Sequence, residues 1–583
     1  MKAGLSDPSP TPPQRPRPRP AWRCGTAALL AAAACSSGPD QAPGRQDSPP
    51  ATAQVRDGLA EDVDSQVTRS ALFANWDAFV DPDGHPVIYE WSIGTTPGGT
   101  DVLPWTGVAG STHAATSDLE LPLGIALHVN VRAIDIAGNR SAISSSDGVV
   151  LGAPGLPTIG NDTGATAAGT APPLGHLAAV DRHGVTWTFD KPVACGRFAN
   201  GDWWVVGPVD IVAIHPACRV DGDRVRHGSM LDPDPTATTQ GYDSGTPTDG
   251  RHGAYEAARN VGLGVSRQQP LRLAAGRSLV SAISHPMPGQ SPQLESAAVL
   301  TCLAEPPPPN AFRPPYCAGD KSCRWTADRL DFGRLQDLEA VAQAPRLTDL
   351  AERLAPTWLD HLGGRAGANL HPRGSMPTFG RDLADLVGLA GLALHLERPR
   401  DEKRTLAIPL VQFGLDVYGI VRAGGRFVAD GGNGAGRKFP LLLAGTLLHD
   451  DDLLRACRQH SLAFAEDVQT FVVAETAPGV VNHGHGGYGK EDIGLSDWGQ
   501  RHADDPSLDD KTWTGDPYRR CCTVNAWLGF VLATRLLGQQ EAWGHPPLFE
   551  YVDRYLQVEP RGSWMRAFQP FAERMWDRYR AEF

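Results

Sequence analysis

The sequence predicts a multidomain β + α protein, with two β-rich units in the first half and a helical array in the second. Three observations carry that expectation. Residues 55–150 and 174–304 read as short alternating apolar and polar runs broken by turn residues. Residues 325–583 instead place apolar residues at helical spacing. Between the two textures stands Glu305-Pro-Pro-Pro-Pro309, a stiff extended break.

Length and charge set the outer bounds. A chain of 583 residues exceeds what one hydrophobic core organises. Its 41% hydrophobic and 20% charged content is that of a folded globular protein. A net charge of -13, with no basic stretch beyond the first few dozen residues to offset it, argues against nucleic acid as the main partner. After the amino terminus no apolar run reads as long enough to span a bilayer.

Residues 1–35 read as an export signal. Arg15, Arg17, Arg19 and Arg23 precede an apolar run from Cys24 to Cys35, with small residues before Cys35. The pattern resembles a bacterial lipoprotein signal, departing from it at Ala32, where Leu or Val is usual. A cleaved signal without lipid is the alternative. Residues 36–54, rich in Pro, Ser, Ala and Asp, read as a flexible tether. The expected location is therefore outside the cytoplasm, with a membrane contact only through a lipid anchor. Export permits disulfides, and the local pairs Cys195–Cys218 and Cys317–Cys323 are the expected ones. Adjacent Cys521 and Cys522 could join each other, remain thiols, or reach distant partners.

In residues 55–150, Ala71–Trp76, Val87–Ile93 and Ala126–Ile134 are strand candidates, with a turn at Asp81-Pro-Asp-Gly84. Trp76 on an early strand, Tyr89-x-Trp91, and the late run Val129-x-Val131-Arg-Ala-Ile-Asp135-x-Ala-Gly-Asn139-x-Ser141 resemble a fibronectin type III module. That resemblance implies a β-sandwich serving as a spacer or adhesion unit. A Gly/Ala/Thr/Pro-rich linker follows. Residues 174–304 then alternate again through Gly184–Phe189, Trp203–Val206, Val209–Ile214, Leu279–Ile283 and Ala297–Cys302, the pattern of a second β-sandwich.

From Leu335 onward the helical candidates are Leu335–Ala342, Leu347–Leu362, Arg381–Leu396, Leu406–Val421, Phe439–Leu448, Asp452–Ala465, Val524–Leu537, Leu548–Leu556 and Phe568–Tyr579. Successive hairpins of this kind make an α/α array whose loops form a cleft at one end.

Three loops collect polar residues. The first carries His371, Arg373 and Arg381. The second, Asp430-Gly-Gly-Asn433-Gly-Ala-Gly-Arg437-Lys438, has the glycine spacing of a phosphate loop but lacks its Lys-Ser/Thr ending. A Gly-rich turn before a helix, with Arg437 and Lys438 beside it, suits a carboxylate instead. The third, Gly479–Trp527, holds three His, two Tyr, three Arg, two Lys and three Trp. Among them are His483, His485, Tyr488, Lys490, Trp498, Arg501, His502 and Arg519. With their surrounding glycines these groups suit β-elimination on a uronic acid. An Arg or Asn neutralises the carboxylate, a His or Tyr takes the C5 proton, and a Tyr protonates the leaving oxygen.

The helical half plus its β unit resembles, in architecture, polysaccharide lyases that join an α/α toroid to a β-sandwich, with the β unit here placed first. The resemblance implies an anionic polysaccharide substrate. On this reading Tyr488, His485, His483 and Arg519 are catalytic. Asn433, Arg437, Lys438, His371, Arg373, Arg381, Lys490, Trp498, Arg501 and His502 bind substrate, and no cofactor is needed beyond a possible Ca²⁺. Two other classes remain open. A glycoside hydrolase would draw on Asp382, Glu491, Asp492 and Asp497, and a non-catalytic adhesion protein would bind sugars without turnover.

Overall fold

The computed structural model describes residues 48–58, 65–66, 72–108, 112–116, 121, 125–135, 138–151, 175–248, 250, 252–317, 319–373, 381–429, 432–477, 480–481, 488–500 and 518–583. The export signal, most of the tether and the linker after residue 151 lie outside these residues. The chain divides into two compact units, Met1–Gly164 and Ala165–Phe583.

The first unit holds strands β1 (Val55–Asp57), β2 (Ser65–Gln66), β3 (Leu72–Trp76), β4 (Ile88–Gly94), β5 (Leu103–Gly107), β6 (His113–Thr116), β7 (Ala126–Ile134), β8 (Ser144–Ser145) and β9 (Val149–Leu151). One sheet has the order β1-β3-β6; the other runs β2-β9-β7-β4-β5, with β8 on β7. Alternation decides which face is inside. Leu127, Val129, Val131 and Ala133 of β7 are buried, as are Tyr89, Trp91 and Ile93 of β4. Full burial of a Leu or Val contributes about 1.5–3 kcal/mol. Trp76 meets Tyr89 edge-on at 5.7 Å, and the Tyr89 hydroxyl accepts from Phe79 N at 3.2 Å. The strand order is that of a fibronectin type III-like sandwich, as the Trp76 and Tyr89-x-Trp91 pattern led us to expect.

The second unit opens with β10 (Gly175–Arg182), β11 (Val185–Arg197), β12 (Trp203–Val206), β13 (Val209–His215), the hairpin β14 (Arg219–Asp221) and β15 (Arg224–Arg226), then β16 (Ser229–Leu231). The small pair β17 (Thr239–Gln240) and β18 (Ala254–Tyr255) precedes β19 (Leu271–Leu273), β20 (Arg277–Ser284) and β21 (Leu294–Leu303). Eight of these strands form one sheet, β16-β20-β21-β12-β11-β13-β19 with β10 on β11. Its two faces go to different cores. Leu279, Ala298, Leu300 and Cys302 pack with Trp187, Val205 and Ile211. Val280, Ala282, Ala297 and Val299 pack among the helices. The expected separate β-sandwich is therefore one sheet with helices on one of its faces.

The helical part comprises α1 (Leu347–Leu354), α2 (Gly364–Ala368), α3 (Arg381–Leu394), α4 (Arg400–Arg422), α5 (Lys438–Leu448), α6 (Asp451–Gln459) and α7 (Ala465–Val468). Short strands β22 (Thr470–Val472), β23 (Glu475–Ala477), β24 (Val480–Val481) and β25 (Ser496–Trp498) intervene before α8 (Leu528–Leu536), α9 (Gln540–Trp543), α10 (Pro546–Val558) and α11 (Pro570–Tyr579). In α3 every residue from Leu383 to Leu394 is buried, and in α5 every residue is. A helix apolar all round belongs to an interior. The α4 helix is long and apolar enough to cross a bilayer by composition, yet 78% of its apolar window is buried in this unit. It is a core helix, a case the run-length reading passed over. Acidic Asp401 and Glu402 open it and Arg422 closes it, complementing the helix dipole.

The helix expected over Asp452–Ala465 ends at Gln459, and two other expected helices differ more. Leu335–Ala342 is not helical, because its backbone bonds elsewhere: Leu338 N donates to His395 O and Leu338 O accepts from Glu397 N, both at 2.8 Å. The helix at Leu347 ends at Leu354, just ahead of Pro356.

The Pro-rich break does not separate sheet from helices. Just after it, the buried Arg313 donates from Nε to Asp202 at 2.7 Å and from both terminal nitrogens to Asp416 of α4 at 3.0 and 2.6 Å. Asp202 also accepts from Arg182 at 3.0 Å. A guanidinium between two carboxylates joins strand loop, connector and helix across one interior.

Cysteine pairing also departs from expectation. Among the described residues the disulfide is Cys521–Cys522, while Cys195, Cys218, Cys317 and Cys323 are thiols. Cys195 and Cys317 are fully buried, and burial pushes the Cys317 and Cys323 thiols up to about 12.

Candidate functional site

The polar groups gather where α3, α5 and α8 begin. Close backbone approach brings them together. A Cβ on Gly436 would lie 2.6 Å from Ala384 Cα, and one on Gly432 would lie 2.3 Å from Cys522 O. Both glycines have positive φ, +88° and +83°, so the Asn433 loop takes a path that side-chain-bearing residues would resist.

His371, Arg437 and Lys438, expected to bind substrate, are interior groups. Arg437 Nε and Nη2 donate to Asp360 at 3.1 and 2.9 Å, and Nη1 donates to Ala435 O at 3.0 Å. His371 Nε2 lies 2.7 Å from the same carboxylate. Burial alone would raise the Asp360 carboxyl, but Arg437 and His371 outweigh it and hold it below the ordinary range. Lys438 is paired with Asp467 and lies over the Trp543 ring at 5.0 Å. Buried charge must be neutralised locally, so these cations are committed to aspartates and form no open anion cradle. Beside them His361, between Tyr242 and Tyr316, is brought by burial down to about 3 and is neutral.

Tyr488, Trp498 and Arg519 do come together. Antiparallel pairing of β22 with β25 sets Phe471 opposite Asp497 and Thr470 opposite Trp498. The Tyr488 hydroxyl donates to Asp497 Oδ2 at 2.9 Å, and Arg554 Nη2 donates to Asp497 Oδ1 at 2.9 Å. Arg519 donates to Trp498 O at 3.2 Å and lies over the Trp498 ring at 5.1 Å. Burial, then Asp497, pushes the Tyr488 hydroxyl well above its usual range. The phenol keeps its proton and shares it with the Asp497 carboxylate as a hydrogen bond. Both Tyr488 and Trp498 are buried.

Partly accessible groups gather at the disulfide turn. Arg381 Nη1 donates to Cys521 O at 2.5 Å, and its guanidinium lies 4.4 Å from the Phe568 ring and 5.9 Å from that of Trp564, which is 49% exposed. Asn433 is half-buried. Arg373 and Lys490 are exposed; Arg373 faces Glu295 at 3.4 Å, remote in sequence from this turn. His483, His485, Arg501 and His502 lie outside the described residues.

Several groups escaped the sequence reading. Glu466 follows α5 and α6 in the chain and is fully buried. One of its oxygens accepts from Gly436 N at 3.4 Å, and the other has no partner among the described residues. Burial and then Asp467 push its carboxyl up to about 7. Gln469, one turn on, is likewise buried, and among the described residues both its amide atoms are unpartnered. Asp385, one turn after Arg381, is pushed up by burial to about 8. Its signal was legible: an acid inside the apolar run Leu383–Leu394. Glu466 offered no such signal, since Ala-Glu-Asp-Val reads as an ordinary helix start. Among the described residues no three His, Cys, Asp or Glu side chains gather as a metal site.

Fold and site thus define a β-plus-α protein with buried acids and a half-buried Arg381 beside an exposed Trp564. No protein-family model and no curated protein matches the chain. Among solved structures it is similar to domains A168–A170 of titin, at 19% identity over 18% of this chain and 32% of that one, with a TM-score of 0.13. Chicken CNTN1 domains FN1–FN3 match at 12% identity over 44% of this chain and 66% of that one, TM-score 0.13. Chitinase ChiA74 from Bacillus thuringiensis matches at 11% identity over 43% and 28%, TM-score 0.13. The chain thus spans about a third of the titin fragment. At such scores the assignment of the first unit rests on its own strand order.

Proposed function

We propose that the protein is an exported polysaccharide lyase that cleaves a uronate-containing chain by β-elimination. The supporting observation is the turn Arg519–Thr523: its Cys521 carbonyl holds the half-buried Arg381, and its Arg519 holds the carbonyl of Trp498, whose neighbour Asp497 accepts from Tyr488. Arg381 and Asn433 would take the uronate carboxylate, lowering the cost of charge at C5, and Trp564 would stack on a sugar ring. A base takes the C5 proton, the C4–O bond breaks, a C4=C5 double bond forms, and Tyr488 protonates the departing oxygen. His483 and His485, close to Tyr488 in sequence, are the base candidates. Incubation with uronate polymers should give a product with the ultraviolet absorbance of an unsaturated uronate. Tyr488→Phe should lower turnover about a hundredfold or more; normal turnover would remove Tyr488 from the chemistry.

One observation favours a second reading. Asp385, protonated at neutral pH, stands near Asp382 on the first turns of α3. A glycosidase needs such an acid–carboxylate pair. New reducing ends without ultraviolet absorbance would select it.

A further inference from the structure

The Cys521–Cys522 disulfide lies in a π-helical turn, Arg519–Thr523, and both cysteines are half-exposed. A disulfide between neighbours closes a small ring that contains the intervening peptide. The carbonyl in that ring is Cys521 O, the atom that accepts from Arg381 Nη1. The next carbonyl, Cys522 O, is the one against which Gly432 packs. On the amino-terminal side, Arg520 is held by Glu559 through two bonds of 2.6 and 2.9 Å. The ring is thus anchored on one side and presents its carbonyls to Arg381 and the Asn433 loop on the other.

We propose that the Cys521–Cys522 disulfide is a positioning group for Arg381: closing the ring fixes the carbonyl that holds the guanidinium, so that grip on a substrate carboxylate depends on the disulfide being closed. The proposal rests on the reading of Arg381 as the carboxylate-binding residue. Opening the ring with a small dithiol transfers two electrons and two protons. The cysteines become thiols and the dithiol becomes its cyclic disulfide. The freed peptide can then rotate, and Arg381 loses this acceptor while Asp382 stays 3.8 Å from its Nε.

The test compares oxidised protein, dithiol-treated protein and the double variant Cys521→Ala with Cys522→Ala, each checked for fold by circular dichroism. Phenylglyoxal labelling of Arg381, read by peptide mass spectrometry, should run several times faster in the reduced protein and in the variant. Dithiol should leave the variant unchanged. Binding of an acidic oligosaccharide, read as a Kd, should weaken several-fold in the reduced protein and the variant, while binding of its carboxyl-reduced form should not change. Equal Arg381 labelling in all three states overturns the proposal whatever the activity. Labelling that responds while no glycan is cleaved would keep the positioning role and discard the lyase reading. If the double variant fails to fold, the reduced natural protein supplies the same comparison.

Discussion

Asp360 is the smallest unit on which the interior depends, since one carboxylate serves Arg437 and His371 at once. Removing a partner from a buried pair costs about 3–5 kcal/mol, because the remaining charge is left uncompensated. Arg437→Ala should therefore lower the unfolding free energy by about that amount, read by denaturant titration, instead of merely weakening a ligand. Glu466 gives a prediction in pH. Its carboxyl rises from 4.5 to about 7 on folding, so the folded state binds the proton more tightly. The associated stability is fully present below pH 4.5 and is lost as pH rises towards 7. Glu466→Gln should thus raise the melting temperature at pH 8 relative to the natural protein, with little difference at pH 4. An unchanged difference across that range would show that the carboxyl titrates normally. Residue identity alone had pointed to Arg437 and Lys438 as cations near glycines. Nothing local announced that Asp360 and Asp467, far off in sequence, would claim them.

Among the elements, α3 and α8 approach closely through a facing pair of glycines. A Cβ on Gly388 would stand 2.9 Å from Phe530 N, and one on Gly529 would stand 2.9 Å from Gly388 Cα. Gly388→Ala must push the helices apart, and overpacking of this kind costs about 1–3 kcal/mol. Because α8 starts just after the disulfide turn, the same variant should also speed phenylglyoxal labelling of Arg381. A stable variant with unchanged labelling would show that the two helices yield independently of the turn. Helical periodicity located α3, α5 and α10 to within a few residues and α4 to within six, because their apolar faces are long and uninterrupted. It failed at Leu335–Ala342, where the apolar spacing is helical but His395 and Glu397 take the backbone bonds. Strand alternation found β4, β7, β20 and β21 for the same local reason. What it could not reveal was that the two faces of β20 and β21 serve different cores.

At the scale of the molecule, the sheet and the helices stand or fall together. A fragment beginning at Phe312 would lose Met230, Tyr242, Val280, Ala297 and Val299 from the helical core, and Asp202 from Arg313. It should aggregate or show the loose packing of an expanded state, whereas a fragment beginning at residue 175 should unfold cooperatively. Near-ultraviolet circular dichroism distinguishes them, and a well-packed fragment from Phe312 would sink the claim. The Pro run had suggested a boundary because stiff connectors usually mark one; the side chain that contradicts it lies only a few residues further on. Arg313 also bears on how such a chain can change over evolutionary time. A rearrangement that cut at the Pro run and joined the helices to another sheet would bring Arg313 and Asp416 without Asp202. The new neighbour would inherit a buried charge cluster short of one carboxylate. The sheet and the helical array are therefore expected to pass between proteins as one inherited block, while the fibronectin-like unit, with a core of its own, is free to be gained or shed.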